Sequence, residues 1–307
     1  MDDLGVFYSN LATVAIIAVL GFFLGKAKWI SEATNRQLIN ILLMVAMPCA
    51  LFGAFPQEFD QSMLDNFLKG MLGGVLVLTA MIIVSKVLFT KKSTRGEMMY
   101  ESQFALIFNN AAFLGYPLVM TIFGRSAVMP YCGFIIVFNI ALFSYGVYLF
   151  ERKVTKKLVM DIVLNPNIIA VLLGMILFLS SMKLPGFVNS SIGYVGGIMT
   201  PLSLICIGYM LSRADFKKMW RKRQLFFAAA AQLVLGPVVT WAIVSLAGFL
   251  PEVRHVLILI QALPTATSLG LFAEKYGGNP IEASELVAVS TLMSVVTLPI
   301  MLTLLLG

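Results

Sequence analysis

Two adjacent amides, Asn109 and Asn110, stand midway along a largely apolar stretch that runs from Met98 to Gly124. A stretch of about 20 residues or more is long enough to cross a bilayer as a helix. Inside the bilayer every polar group must find its partner within the protein, so an unpaired amide at mid-depth costs several kcal/mol. Pro117, with Gly115 just before it, adds a second irregularity: it supplies no N–H, and its ring crowds the carbonyl of Phe113 one turn earlier. A broken helix is the reading that satisfies both. A second such place lies in Gln261 to Gly278, where Pro264 is followed by Thr265, Thr267 and Ser268. Asn110 to Gly115 (NAAFLG) aligns with Thr265 to Gly270 (TATSLG), 155 residues apart. Two interrupted membrane helices in corresponding halves of a chain point to a substrate site at mid-membrane.

Composition agrees with a polytopic all-α membrane protein: 59% of the 307 residues are hydrophobic and 12% are charged. Ten spans can be drawn with little freedom, at Val6–Gly25, Gln37–Phe55, Phe67–Phe89, Met98–Phe123, Met129–Phe150, Asn165–Met182, Phe187–Ser212, Gln224–Phe249, Val253–Ala273 and Ser284–Gly307. The first is preceded by Asp2 and Asp3 and is a full span long, unlike a cleavable leader, so the N-terminus is expected to be retained. Of the 22 Lys and Arg, 18 fall in the loops after spans 1, 3, 5, 7 and 9 once Lys86 in the last turn of span 3 is included, and Lys69, Arg125, Lys183 and Arg254 lie in or at the edges of the remaining loops, one each. The positive-inside rule then places both termini outside a plasma membrane, the inner membrane of the cell.

The hydropathy pattern repeats. Residues 1–151 and 165–307 each hold five spans, joined by a short cytoplasmic linker at 152–164. Because five is odd, the second half is inverted relative to the first. Pro48 in span 2 lies 153 residues before Pro201 in span 7, close to the offset of the two interruptions. Gly-x-x-x-Gly spacings at Gly21 and Gly25, Gly70 and Gly74, and Gly193 and Gly197 would let helices approach closely. Among 24 glycines some such pairs arise by chance.

What the apolar cores lack excludes several classes. They hold no Asp, Glu, Lys or Arg between the loop charges, and Glu101 and Glu274 stand at the ends of spans 4 and 9. A membrane aspartyl protease or a carboxylate proton relay needs such groups at depth. The single histidine, His255, sits at the mouth of span 9, which argues against a Ser-His pair or a histidine metal centre. Cys49, Cys132 and Cys206 lie in apolar runs, so neither a disulfide framework nor a metal site is expected. No nucleotide-binding glycine loop is present, and the net charge of +7 reports loop orientation rather than nucleic-acid binding. No enzyme activity and no cofactor are expected.

If spans 4 and 9 both break at mid-depth, the second half of each begins near the membrane centre. Two half-helix N-termini then meet there, each carrying roughly half a positive charge and free N–H groups. Such a site favours an anion, with Asn109, Asn110, Thr265, Thr267 and Ser268 as directional donors and Asn139 and Gln261 as further candidates. The alternative for each Thr or Ser is that it merely knits helices together.

The order of GFFLGKAKWISEATNRQLINILLMVAMPCALF, NNAAFLGYPL and ALPTATSLGLFAEKYGG, followed by a Ser-rich last span, resembles the auxin efflux carrier family, which includes plant auxin exporters and bacterial malonate-type carriers. The resemblance covers the whole chain. It implies two inverted five-helix repeats like those of bile-acid symporters and sodium-proton antiporters, with helices 4 and 9 crossing near the substrate. Helices 1, 2, 6 and 7 would form a scaffold, helices 3–5 and 8–10 a mobile transport bundle, and two copies a homodimer. Carried over by residue, the family's crossover asparagine falls on Asn110, the proline of the second crossover on Pro264, and a polar residue of the fifth helix on or beside Asn139. Plant members have a proline where this chain has Asn109 and a serine where it has Leu51, and the acidic and basic pair of their third helix is missing here. These differences point away from the aromatic hormone and leave a carboxylate preference. The expected function is a carrier of a small organic anion in the lipid bilayer. The competing reading is a transporter-shaped sensor that binds a lipid or metabolite without moving it.

Overall fold

The computed structural model describes residues 2–55, 58–94, 98–151, 160, 162–213 and 222–306. The expected linker at 152–164 falls largely outside them. Among the described residues the chain is helical throughout, and the only β-type pairing is one isolated antiparallel bridge, Asn109 with Thr265. In chain order the helices are α1 (Asp2–Lys26), α2 (Glu32–Ala54), α3 (Gln61–Leu88), α4 (Met99–Ile107), α5 (Ala111–Phe123), α6 (Arg125–Glu151), α7 (Pro166–Ser180), α8 (Gly186–Arg213), α9 (Arg223–Leu246), α10 (Pro251–Gln261), α11 (Leu269–Tyr276) and α12 (Pro280–Leu306). Six helices, α2, α3, α6, α8, α9 and α12, are each long and apolar enough to cross a membrane by length and composition. The apolar stretches around Asn110 and Pro264 fold instead as pairs of shorter helices, α4 with α5 and α10 with α11.

Three prolines inside apolar stretches share one local solution. Pro48, Pro117 and Pro237 each follow a single widened turn with i→i+5 geometry, at Leu42–Ala46, Ala111–Gly115 and Ala231–Leu235. Proline cannot donate to the carbonyl four residues back and crowds it sterically, and widening the preceding turn moves that carbonyl aside. The Gly115 N–H accordingly reaches back five residues to Asn110 O, at 3.2 Å. This corrects the expectation that Gly115 and Pro117 mark the break. Both lie within the helical run Ala111–Phe123, and the chain unwinds upstream, at Phe108 to Asn110. Gly115 answers a packing need, since a Cβ there would stand 3.1 Å from the Tyr131 ring.

The helices pack as two groups. α1 lies along α8, while α2 packs on α7 and α8. Separately, α3 lies along α6 and α4, and α9 packs against α10 and α12, with α11 also on α12. Glycine sets the closest approaches in each. A Cβ at Gly21 or Gly208 would collide with the backbone of Ile205 or Ala18 across the α1–α8 contact. A Cβ at Gly70 or Gly133 would collide with Pro130 or Phe67 across the α3–α6 contact. Gly193 and Gly197, by contrast, face open space.

Substitution at these sites separates packing glycines from incidental ones. Gly70→Ala and Gly208→Ala should each destabilise by about 1–3 kcal/mol or more, because no rotamer change moves a backbone atom away. Gly193→Ala should be neutral or stabilising, since alanine is favoured over glycine in a helix by about 1 kcal/mol. Thermal unfolding in detergent reads all three, and equal melting temperatures would contradict the packing assignment.

Candidate functional site

At the interruption between α4 and α5, Phe108 and Asn109 are extended, and between α10 and α11 the chain is unwound from Ala262 to Ser268. The two unwound segments run antiparallel and bond to each other. Asn110 N–H donates to Pro264 O at 2.7 Å, and Ala266 N–H donates to Phe108 O at 3.0 Å. Each interruption therefore supplies the backbone partners that the other lost, which is the condition for irregular backbone at membrane depth. Tyr131, fully buried in α6, donates its hydroxyl to Ala111 O at 2.9 Å, and Ser290 Oγ in α12 accepts from Thr265 N–H at 3.1 Å.

A cavity of about 550 Å³ opens onto this crossover. Asn110 and Thr267 line it, with Glu32 and Asn35 of α2, Ile207 to Arg213 of α8 and Ser284 to Thr291 of α12. Ser290 touches Thr265, so Thr291 stands at crossover level, and Glu285 lies six residues from it along α12, about 9 Å at 1.5 Å per residue. The cavity thus lies between the two helix groups, bounded by α2 and α8 on one side and by the crossover and α12 on the other.

The mouth is charged. Glu285 is held by Lys222 at 2.6 Å, and Glu32 by Arg36 at 3.6 Å, whereas Arg213 forms no ion pair among the described residues. The inner end carries no formal charge. Asn110 is 3% exposed, yet its side-chain amide makes no hydrogen bond to the described residues. It also stands at the N-terminus of α5, where Leu114 and Gly115 bond back to Asn110 O and the amides of Ala111, Ala112 and Phe113 have no backbone acceptor among the described residues. Thr267 and Ser268 occupy the matching position ahead of α11. A buried amide beside two helix N-termini is an arrangement that favours negative charge.

The sequence candidates divide on inspection. Asn110 and Thr267 face the cavity. Asn109 is not part of its lining and donates its Nδ2 to Gln261 Oε1 at 2.9 Å, leaving Asn109 Oδ1 and Gln261 Nε2 buried without partners among the described residues. Thr265 is fully buried, and its hydroxyl donates to Gln232 Oε1 at 3.1 Å, so it knits helices together. Ser268 is half-buried at the start of α11, and Pro264 sits in the unwound stretch. Asn139 is not part of the cavity lining. Its Nδ2 donates to Ile135 O at 2.8 Å, and its Oδ1 accepts from Asn165 Nδ2 at 3.3 Å, tying α6 to the start of α7. Gln232, Ser290 and Tyr131 support the crossover without having been singled out from sequence. A lone Gln, Ser or Tyr in an apolar run carries no local signal, and their partners lie 20 to 33 residues away.

A many-helix apolar fold whose two interrupted helices cross at the inner end of a cavity defines a membrane transporter. Comparison with known proteins agrees. The sequence matches the family described as membrane transport protein over residues 6–161 and 150–302, so the chain belongs to that family, the auxin efflux carriers. It is 24% identical over 268 residues to an uncharacterized transporter of Methanocaldococcus jannaschii, covering 82% of this chain and 84% of the relative. It is 23% identical over 271 residues to a putative malonate transporter of Rhizobium meliloti, covering 85% and 83%. An uncharacterized transporter of Escherichia coli K12 is 22% identical over 308 residues, covering 96% of each.

Pro264 keeps the second interruption open, because it has no N–H to offer the carbonyl of Ile260. Pro264→Ala should let α10 extend toward α11, draw the Pro264 carbonyl position away from Asn110 and lower transport, even if thermal stability rises. Transport unchanged from wild type would make the proline incidental.

Proposed function

We propose that this protein is a secondary carrier that moves a small organic anion, a carboxylate, across the plasma membrane by alternating access. The observation that carries this reading is the Asn110 side-chain amide, which lines a cavity of about 550 Å³ on a half-helix N-terminus and makes no hydrogen bond among the described residues. Thr267 supports it from the other crossing segment. In this reading the chain has ten membrane spans in two inverted halves of five, α4 with α5 forming the fourth and α10 with α11 the ninth. Both termini lie outside, and the cavity mouth at Arg213 faces the cytoplasm. The group α1, α2, α7 and α8 acts as scaffold, the remaining helices as the moving bundle, and two copies pair as a homodimer. Malonate, the substrate named for the Rhizobium relative, is the first compound to try.

The uncharged inner end has an energetic consequence. With no carboxylate at depth to bind a proton or a sodium ion strongly, the empty carrier moves little net charge, and the loaded carrier moves the charge of its anion. Turnover is then electrogenic. One charge crossing the full field is worth about 2.3 kcal/mol per 100 mV, enough to drive anion export from a cell that is negative inside. Proteoliposomes clamped with a potassium gradient and valinomycin test this with radiolabelled malonate and a panel of monocarboxylates. Uptake should rise when the lumen is made positive and should be indifferent to sodium. Electroneutral uptake, or uptake lost on withdrawal of sodium, would contradict it.

A further inference from the structure

Behind the crossover, outside the cavity lining, one side chain grips the second interruption from both ends. Gln232 is fully buried in α9, within the widened turn Ala231–Leu235 that precedes Gly236 and Pro237. Its Nε2 donates to Leu263 O, and its Oε1 accepts from the Thr265 hydroxyl. The two partners flank Pro264. That proline's carbonyl is in turn the acceptor for Asn110 N–H, at 2.7 Å. Four residues further along α9, a Cβ at Gly236 would stand 3.1 Å from Gln261 O, so the glycine lets α9 close on the end of α10. Gln261 then accepts from Asn109 Nδ2. A single turn of α9 therefore supports both unwound segments, one through Gln232 and one through Gly236.

A buried amide can spend one end within its own helix, as Asn139 Nδ2 does on Ile135 O. Gln232 instead commits both ends of its amide to the α10–α11 linker, giving the Leu263 carbonyl of the unwound stretch a donor and the Thr265 hydroxyl an acceptor. We propose that Gln232 is a positioning residue for the anion site: by clamping Leu263 and Thr265 it fixes the Pro264 carbonyl, and through that carbonyl the backbone of Asn110. The assignment rests on the reading of Asn110 as the anion-binding amide. Its test needs no substrate, so the two can fail separately.

The experiment is hydrogen exchange on the purified full chain, comparing wild type, Gln232→Leu and Gln232→Glu. Gln232→Leu removes both bonds. Amides in a peptide covering residues 108–111 should exchange about tenfold or more faster, the change expected when one hydrogen bond is lost from a local opening equilibrium. A control peptide from α3, residues 70–78, should be unchanged. Gln232→Glu keeps the shape and adds a titration. A buried carboxyl has its pKa raised by desolvation, so at about pH 5 it is neutral, with a hydroxyl for Leu263 O and a carbonyl for Thr265. Once ionised it turns only acceptors toward Leu263 O. The partners in place, a carbonyl and a hydroxyl, do not titrate in this range. Exchange at 108–111, relative to wild type at the same pH, should therefore be near one at about pH 5 and rise as the pH is raised toward about 9.

Wild-type exchange at 108–111 in Gln232→Leu would overturn the proposal, as would acceleration of equal size in the α3 peptide. If Gln232→Leu does not yield folded protein, Gln232→Glu decides: a flat pH profile of the ratio overturns the proposal and a rising one supports it. Absence of anion transport by wild type would sink the carrier reading and leave this structural result standing.

Discussion

Two backbone hydrogen bonds, Asn110 to Pro264 and Ala266 to Phe108, are what permit the helices to be broken where they are. Exposed N–H and C=O groups in an apolar interior cost too much to be left unmade. A single interrupted helix would leave several such groups unpaired. Two interruptions laid antiparallel against each other satisfy one another, and the short bridge between Asn109 and Thr265 is the visible result. The remaining features around it serve that pairing: the Tyr131 hydroxyl on Ala111 O, Ser290 on Thr265, Gln232 across Pro264, and the cavity that Asn110 lines.

In the carrier reading proposed above, the pairing also accounts for an anion site without a fixed cation at depth. Breaking a helix creates an N-terminus, and an N-terminus concentrates partial positive charge and unmade N–H groups. Here two of them begin at the crossover, at α5 and α11. Arg213, at the end of α8, lines the same cavity, where its charge can attract an anion from a distance. The carboxylates that share the mouth, Glu285 and Glu32, are offset by Lys222 and Arg36. A carrier has to release its cargo, so dipoles and amides at the centre suit that task better than a buried ion pair.

Much of this was legible in the residues, and the misses have physical causes. Asn109, Asn110 and the Pro264 to Ser268 segment stood out because polar groups in an apolar run demand partners. The chain unwinds at both places. Pro117 misled because proline is tolerated near the start of a helix, where its missing N–H is not needed, and a widened turn accommodates its ring. Thr265 looked like a ligand and is a strut, since its hydroxyl is taken by Gln232. Asn139, a candidate as a lone amide in span 5 and again through the family resemblance, is held by Asn165 and Ile135 and is not part of the cavity lining. Gln232 itself was invisible: periodicity shows which face of a helix is apolar, but not which distant carbonyl a solitary amide will find.

The account stands or falls on the Asn110 side chain. Thermal unfolding of wild type and Asn110→Ala, each with and without saturating carboxylates, tests it directly. A ligand at 100 times its dissociation constant stabilises the wild type by about 2.7 kcal/mol. Losing a hydrogen bond to a charged group costs about 1.5–3 kcal/mol, so the variant should remain folded while most or all of the ligand-dependent shift disappears. A full wild-type shift in Asn110→Ala would place the anion elsewhere and contradict the account.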